Sequence, residues 1–160
     1  MPHTIVEPKP GVDMGRVIVT VEIANVEDLD RSGRGEVKPA DIRRATVEAL
    51  VDTGATFLCL PQSVVNALGL RFERTKEART VTHVVPMDIY RGARIEVEGR
   101  ACTVEVMAIA DDRSPLLGRI PLETLDFWVD VANHKLVGNP EHGGSGWRKC
   151  IGAKPRLRSA

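Results

Sequence analysis

The sequence predicts a mostly β fold, a closed barrel with one or two short helices. Three observations lead there. Short runs rich in β-branched residues recur along the chain. Gly, Pro and Asn punctuate them at fairly regular spacing. Only two stretches have helical character, and each opens on a proline, Pro61 and Pro121. Many short, evenly spaced strands favour a barrel over an open sheet, and no internal repeat or second domain is visible.

In chain order, residues 1–13 carry Pro2, Pro8, Pro10 and Gly11 without periodicity and read as a loose arm. The run 16–24 (RVIVTVEIA) is β-branched and half alternating, a strand. Residues 28–41 mix Gly33, Gly35 and Pro39 with many charged side chains and are expected to be an exposed loop. A second strand over 44–51 runs into Asp52, and 57–60 (FLCL) reads as a third, apolar on both faces. Pro61 suits the first position of a helix through Leu68, with Val64, Val65 and Leu68 on one face and Gly69 as its stop. Residues 79–85 and 89–97 then read as two arms of a hairpin joined near Pro86-Met87-Asp88.

Glu98-Gly99 is the next turn, leading into a strand over 101–109 in which Cys102, Val104 and Val106 alternate with polar neighbours. After the break at 111–115, Leu116-Leu117-Gly118 is a short buried strand and Pro121 starts a second helix. A last pair of strands, 127–131 and 135–137, turns at Asn133-His134. Three segments follow: an N-terminal arm 1–13, a domain 14–142, and a basic, exposed tail 143–160.

Composition narrows the function. A chain of 160 residues with 42% hydrophobic content can bury a sizeable core. Its 22 basic and 22 acidic residues balance, so no field argues for nucleic acid or an anionic membrane. No run is long enough to span a bilayer and the N-terminus has no signal-peptide pattern, so a cytoplasmic location is expected. Cys59, Cys102 and Cys150 are too far apart for a redox pair or a zinc site, and the first two read as small, reduced core residues. His83, His134 and His142 do not cluster, and Asp111-Asp112 reads as a solvated loop, so neither a metal nor any other cofactor is expected. Trp128 is expected in the core or at a subunit interface, and Trp147 against a partner chain. Ser63 and Ser114 lack a nucleophile's surroundings.

One stretch stands apart. In Ala49-Leu50-Val51-Asp52-Thr53-Gly54-Ala55-Thr56 an apolar run delivers a single carboxylate into a tight turn. An acid between core-type residues is costly to ionise unless hydrogen-bonded or paired, so Asp52 is either a turn device or a chemical group. The D-T-G-A turn between apolar strands is followed about sixty residues later by Leu116-Leu117-Gly118 and a short helix.

Together with the helix end Ala67-Leu68-Gly69-Leu70 and the stretch 136–142 (LVGNPEH), these residues resemble the retropepsin-like aspartic proteases, in particular bacterial single-domain members, over roughly residues 14–142. The resemblance implies a retropepsin-like (acid protease) β-barrel and an aspartic endopeptidase. In that family two carboxylates face each other about 3 Å apart and share one proton. The ionised one activates a water against the peptide carbonyl and the protonated one polarises that carbonyl. This sequence contains one D-T-G, so the resemblance implies a two-fold homodimer with Asp52 from each subunit at the axis.

By the same resemblance, Asp52, Thr53 and Gly54 form the catalytic turn. Thr53 would bond across the axis, and Gly54 would let the backbone approach and donate its amide to the carboxylate. Ala55 would lie beside a bound polypeptide. Leu117 and Gly118 would support the Asp52 turn from beneath. The hairpin from His83 to Tyr90 would be the flap over substrate, with Val84, Val85, Pro86 and Met87 as contact residues. Retropepsin flaps usually carry glycine near the tip, and 84–88 has none. That departure supports the alternative, a catalytically inactive dimerisation or peptide-binding module on the same fold.

Overall fold

A computed structural model of the protein describes the strand Thr4–Val6 and residues 15–142; Trp147, Cys150 and the expected basic tail lie outside the described residues. The fold is mostly β. In chain order the elements are β1 Thr4–Val6, β2 Ile18–Asn25, α1 Val26–Gly33, β3 Arg44–Val51, β4 Leu58–Pro61, α2 Gln62–Leu68, β5 Arg71–Arg79, β6 Val84–Val97, β7 Arg100–Ile109, β8 Leu116–Leu117, α3 Arg119–Thr124, β9 Phe127–Asp130 and β10 Lys135–Gly138. The main sheet runs β1-β3-β2-β6-β7-β4-β8, and β8 pairs again with β3, so the hydrogen-bonded neighbours form a ring. β5 extends β6 outward as a ribbon, and β9–β10 form a separate hairpin.

Alternation builds the core. In β2 and β3 every second residue points inward, giving Val19, Val21 and Ile23 opposite Ala45, Val47 and Ala49. β4, β7 and β8 add Leu58, Leu60, Val104, Val106 and Leu117, and α2 covers them with Val64, Val65 and Leu68. Each large side chain removed from water there contributes about 1.5–3 kcal/mol. Cys59 and Cys102 are buried free thiols, as expected. No helix among the described residues is long and apolar enough to cross a membrane.

Four expectations are corrected. The arm is not wholly loose, because β1 pairs in parallel with β3. The supposed loop 28–41 begins inside α1: Asn25 caps that helix by accepting from the Asp28 amide, while its Nδ2 donates to the carbonyls of Leu68 and Gly69. Asp28 is buried and accepts from the Arg43 amide and, at 2.7 and 2.8 Å, from its guanidinium. A charged segment therefore packs after all, because its acid is paired. The hairpin turns at Thr80–His83, not at Pro86, with Thr80 Oγ1 donating to the His83 carbonyl. Pro86 sits within β6 where the strand has β5 on one side and β7 pairing has ended, so a residue without N–H is accommodated on the free side. Of the two places expected for Trp128, the core is ruled out, since the ring is half exposed on β9, and the subunit interface is left.

Candidate active site

β3 ends at Val51 and the chain turns through Asp52-Thr53-Gly54, closed by the Ala55 amide donating to the Asp52 carbonyl at 3.1 Å. The Gly54 amide donates to Asp52 Oδ1 at 2.9 Å, which fixes the carboxylate within its own turn. Asp52 is half buried, while Thr53 and Gly54 are exposed. The turn offers one carboxylate and two open neighbours.

β8 holds this turn from beneath. It runs parallel to β3, with Val51 opposite Leu117, and antiparallel to β4, with Leu58 opposite Leu117. The Asp52 amide donates to the Leu117 carbonyl at 3.0 Å; Arg119 and Ile120 donate back to the carbonyls of Ala55 and Thr56 at 2.8 and 3.0 Å. Gly118 fits because it has no side chain. A Cβ there would stand 2.8 Å from the Ala55 carbonyl oxygen and 2.9 Å from the Phe57 nitrogen, and closer still to the Phe57 carbonyl oxygen. Leu117 and Gly118 thus lie directly under the Asp52 turn.

The register shows a second set of residues that the sequence reading did not single out. Leu50 faces Leu116, Leu116 faces Cys59, Cys59 faces Met107, Met107 faces Ile89, and Ile89 faces Arg74. Paired residues project to the same side of a sheet, so these form one row across six strands, on the face away from the main cluster, with Cys59 and Ile89 themselves buried. Asp52 follows Leu50 by two positions, just past the end of β3 and so beside this row; the Cys59 thiol is pushed up to about 11, first by burial and then by the charge of Asp52. The only local hint was partial apolarity at both parities of β4.

Of the four flap candidates, Val85 and Met87 share the side of Ile89, with Val84 and Pro86 on the other, because side chains alternate along β6. The cross-strand partner of Met87 is Lys76, whose Nζ stands 5.2 Å from the centre of the Phe57 ring, just beyond the Asp52 turn. The base of the ribbon therefore comes over the turn on its Met87 side. Where β6 and β7 part, a recess of about 300 Å³ opens between Pro86, Met87 and Asp88 on one side and Ala108, Ile109 and Ala110 on the other, with Gln62 completing its wall. Among the described residues no His, Cys, Asp or Glu cluster is arranged to hold a metal ion.

The aspartyl protease family profile matches residues 38–120, from the approach to β3 through the first turn of α3. The chain belongs to this retropepsin-like aspartyl protease family. The matched span contains the Asp52 turn, the β5–β6 ribbon and the β8 support, so the aspartyl protease signature and the hydrogen-bonded unit just described coincide. Family membership supports a protease-like, hydrolytic function for this aspartyl protease domain. No curated protein matches the chain.

Proposed function

We propose that the protein is a homodimeric aspartic endopeptidase whose catalytic pair is Asp52 from each of two subunits, acting on an extended polypeptide. The observation that carries this reading is the Asp52 turn itself. A single carboxylate, held by the Gly54 amide and fixed from below by three strand and helix residues, Leu117, Arg119 and Ile120, stands next to exposed Thr53 and Gly54. One D-T-G per chain makes half a site, and an isologous two-fold contact through Thr53 brings the second half. The ring of strand pairings is taken, on the same reading, as the closed retropepsin-like barrel.

In the dimer one Asp52 is ionised and its mate protonated, since two carboxylates in contact do not both ionise. The ionised carboxylate takes a proton from a water as it attacks the peptide carbonyl carbon, and the protonated one donates to the carbonyl oxygen. The tetrahedral species then collapses, the amine leaves with a proton, and no bond to the enzyme forms. Gly54 keeps the Asp52 carboxylate in place throughout, and Ala55 leaves room for the substrate backbone. The β5–β6 ribbon closes over the peptide, excluding water, with Val85 and Met87 on its inner side.

A second reading, a peptide-binding dimer without turnover, is favoured by one feature: the hairpin tip Thr80-Val81-Thr82-His83 has no glycine. Digestion of denatured casein at pH 5 decides between them. Wild-type protein is expected to cut and Asp52→Asn to leave the substrate intact; cuts that persist in Asp52→Asn refute the dyad.

A further inference from the structure

We propose that Lys76 is a specificity-determining residue that selects peptides bearing an acidic side chain at a fixed distance from the cut, an inference that rests on the peptidase reading above. The ribbon sorts its charges by face. Arg74 and Lys76 face the Asp52 side with Ile89 and Met87 as cross-strand partners; Glu77 and Asp88 lie on the opposite side, and there Thr75 donates to Asp88 at 2.8 Å. On the inner side Glu105 of β7 lies beside these cations and is already committed. Arg74 holds it through two bonds of 2.7 and 2.9 Å. That bidentate pair keeps the Glu105 carboxyl below its usual range, first through the Arg74 hydrogen bonds, with the Lys76 charge adding to the effect.

Lys76 is left over. Among the described residues no carboxylate forms an ion pair with it; its contact is the face of Phe57. Arg74 and Glu105 neutralise each other, so within this trio Lys76 is the cation without an acidic partner, and it stands at the end of the D-T-G-A-T-F stretch. The ammonium itself stands over the Phe57 ring at 5.2 Å, a cation–π contact that leaves its N–H donors available to an anion. A peptide lying extended between the ribbon and the Asp52 turn passes under this group. A glutamate or aspartate there gains an ion pair that the closing ribbon shields from water, whereas a lysine or arginine there meets a like charge. Two-fold symmetry supplies one Lys76 on each side of the dyad, so the preference is expected at matching positions on both sides of the cut.

The test maps cuts in denatured casein at pH 5.5, where Glu side chains are largely ionised, by mass spectrometry, using wild type, Lys76→Met, Lys76→Arg, Lys76→Glu and Asp52→Asn. Wild type is expected to favour sites with Asp or Glu at the fixed position about fivefold over sites with Asn or Gln. Lys76→Arg should keep that ratio, Lys76→Met should bring it to about one, and Lys76→Glu should favour Lys or Arg instead. An acidic preference that survives in Lys76→Met, or none in wild type, overturns the proposal. A second arm does not depend on turnover: fluorescein-labelled decapeptides, identical except for Glu or Gln at each position in turn, are titrated onto Asp52→Asn and onto Asp52→Asn/Lys76→Met. Tighter Glu binding lost in the double variant supports the Lys76 assignment; equal binding overturns it. Cleavage that continues in Asp52→Asn refutes the peptidase reading, whatever the charge preference.

Discussion

Replacing Gly118 by alanine tests whether the Asp52 turn is held as described. The new methyl carbon would lie 2.8 Å from the Ala55 carbonyl oxygen and 2.9 Å from the Phe57 nitrogen, and nearer still to the Phe57 carbonyl oxygen, all backbone atoms that cannot swing aside. Ordinary contact begins near 3.4 Å, so the turn and β8 must part by more than half an ångström. That separation strains the Asp52–Leu117, Arg119–Ala55 and Ile120–Thr56 hydrogen bonds together. Overpacking of a tight site is worth about 1–3 kcal/mol, and weakening three backbone bonds puts Gly118→Ala at the upper end, about 3 kcal/mol. At roughly 4 °C per kcal/mol for a domain of this size, the melting temperature should fall by roughly 12 °C. Circular dichroism on heating, and urea midpoints at unchanged m-value, read it directly. Gly54→Ala is the control: its nearest atom is Asp52 Oδ1 at 3.1 Å, a side-chain oxygen that can rotate. It should cost less than about 1 kcal/mol while displacing the carboxylate. Equal stability losses in the two variants, or a Gly118→Ala protein as stable as wild type, would refute the packing argument.

Other outcomes follow from the same structure. Asp28→Ala removes the acceptor of three Arg43 bonds and should lower stability by about 2–3 kcal/mol in urea titration. The Arg43 hydrogen bond holds the Asp28 carboxyl below its ordinary value, so this stabilisation is whole above about pH 4 and is lost as pH falls through the folded-state value; wild type and Asp28→Ala should converge only in strong acid. Iodoacetamide at pH 8 should leave Cys59 and Cys102 unlabelled in the folded protein, since burial pushes both thiols up to about 11; rapid labelling mapped to either would contradict their packing. Casein cleavage per subunit should fall on dilution as dimers dissociate; a rate per subunit that stays constant down to a concentration where light scattering finds monomer would contradict a shared site.

Much of this was legible locally. The bounds of β3 coincide with the expected strand because alternation and turn residues both mark it, whereas a supporting role for Leu117-Gly118 came from the family resemblance and not from any local pattern. What escaped depends on partners far away in the chain. α1 is poor in apolar residues and is held by Asn25 reaching Leu68 and by the Asp28–Arg43 pair, although Asn25 followed by Glu27 and Asp28 was a start signal open to reading. β5 has almost no buried residue and stands through pairing with β6 and ion pairs such as Arg74–Glu105. The row from Leu50 to Arg74 exists only once five registers are set, and no single strand announces its register.

β8 is two residues long, yet it lies between segments that are far apart in the chain. While the polypeptide is being made, the Asp52 turn emerges some sixty residues ahead of the carbonyl of Leu117 and the amides of Arg119 and Ile120. The turn has nothing to rest on until those groups leave the ribosome, and loop closure over such a span is slow compared with local pairing. The carboxylate is thus set in place near the end of domain synthesis, and a nascent chain stalled before Gly118 exposes a D-T-G sequence with no shaped site around it.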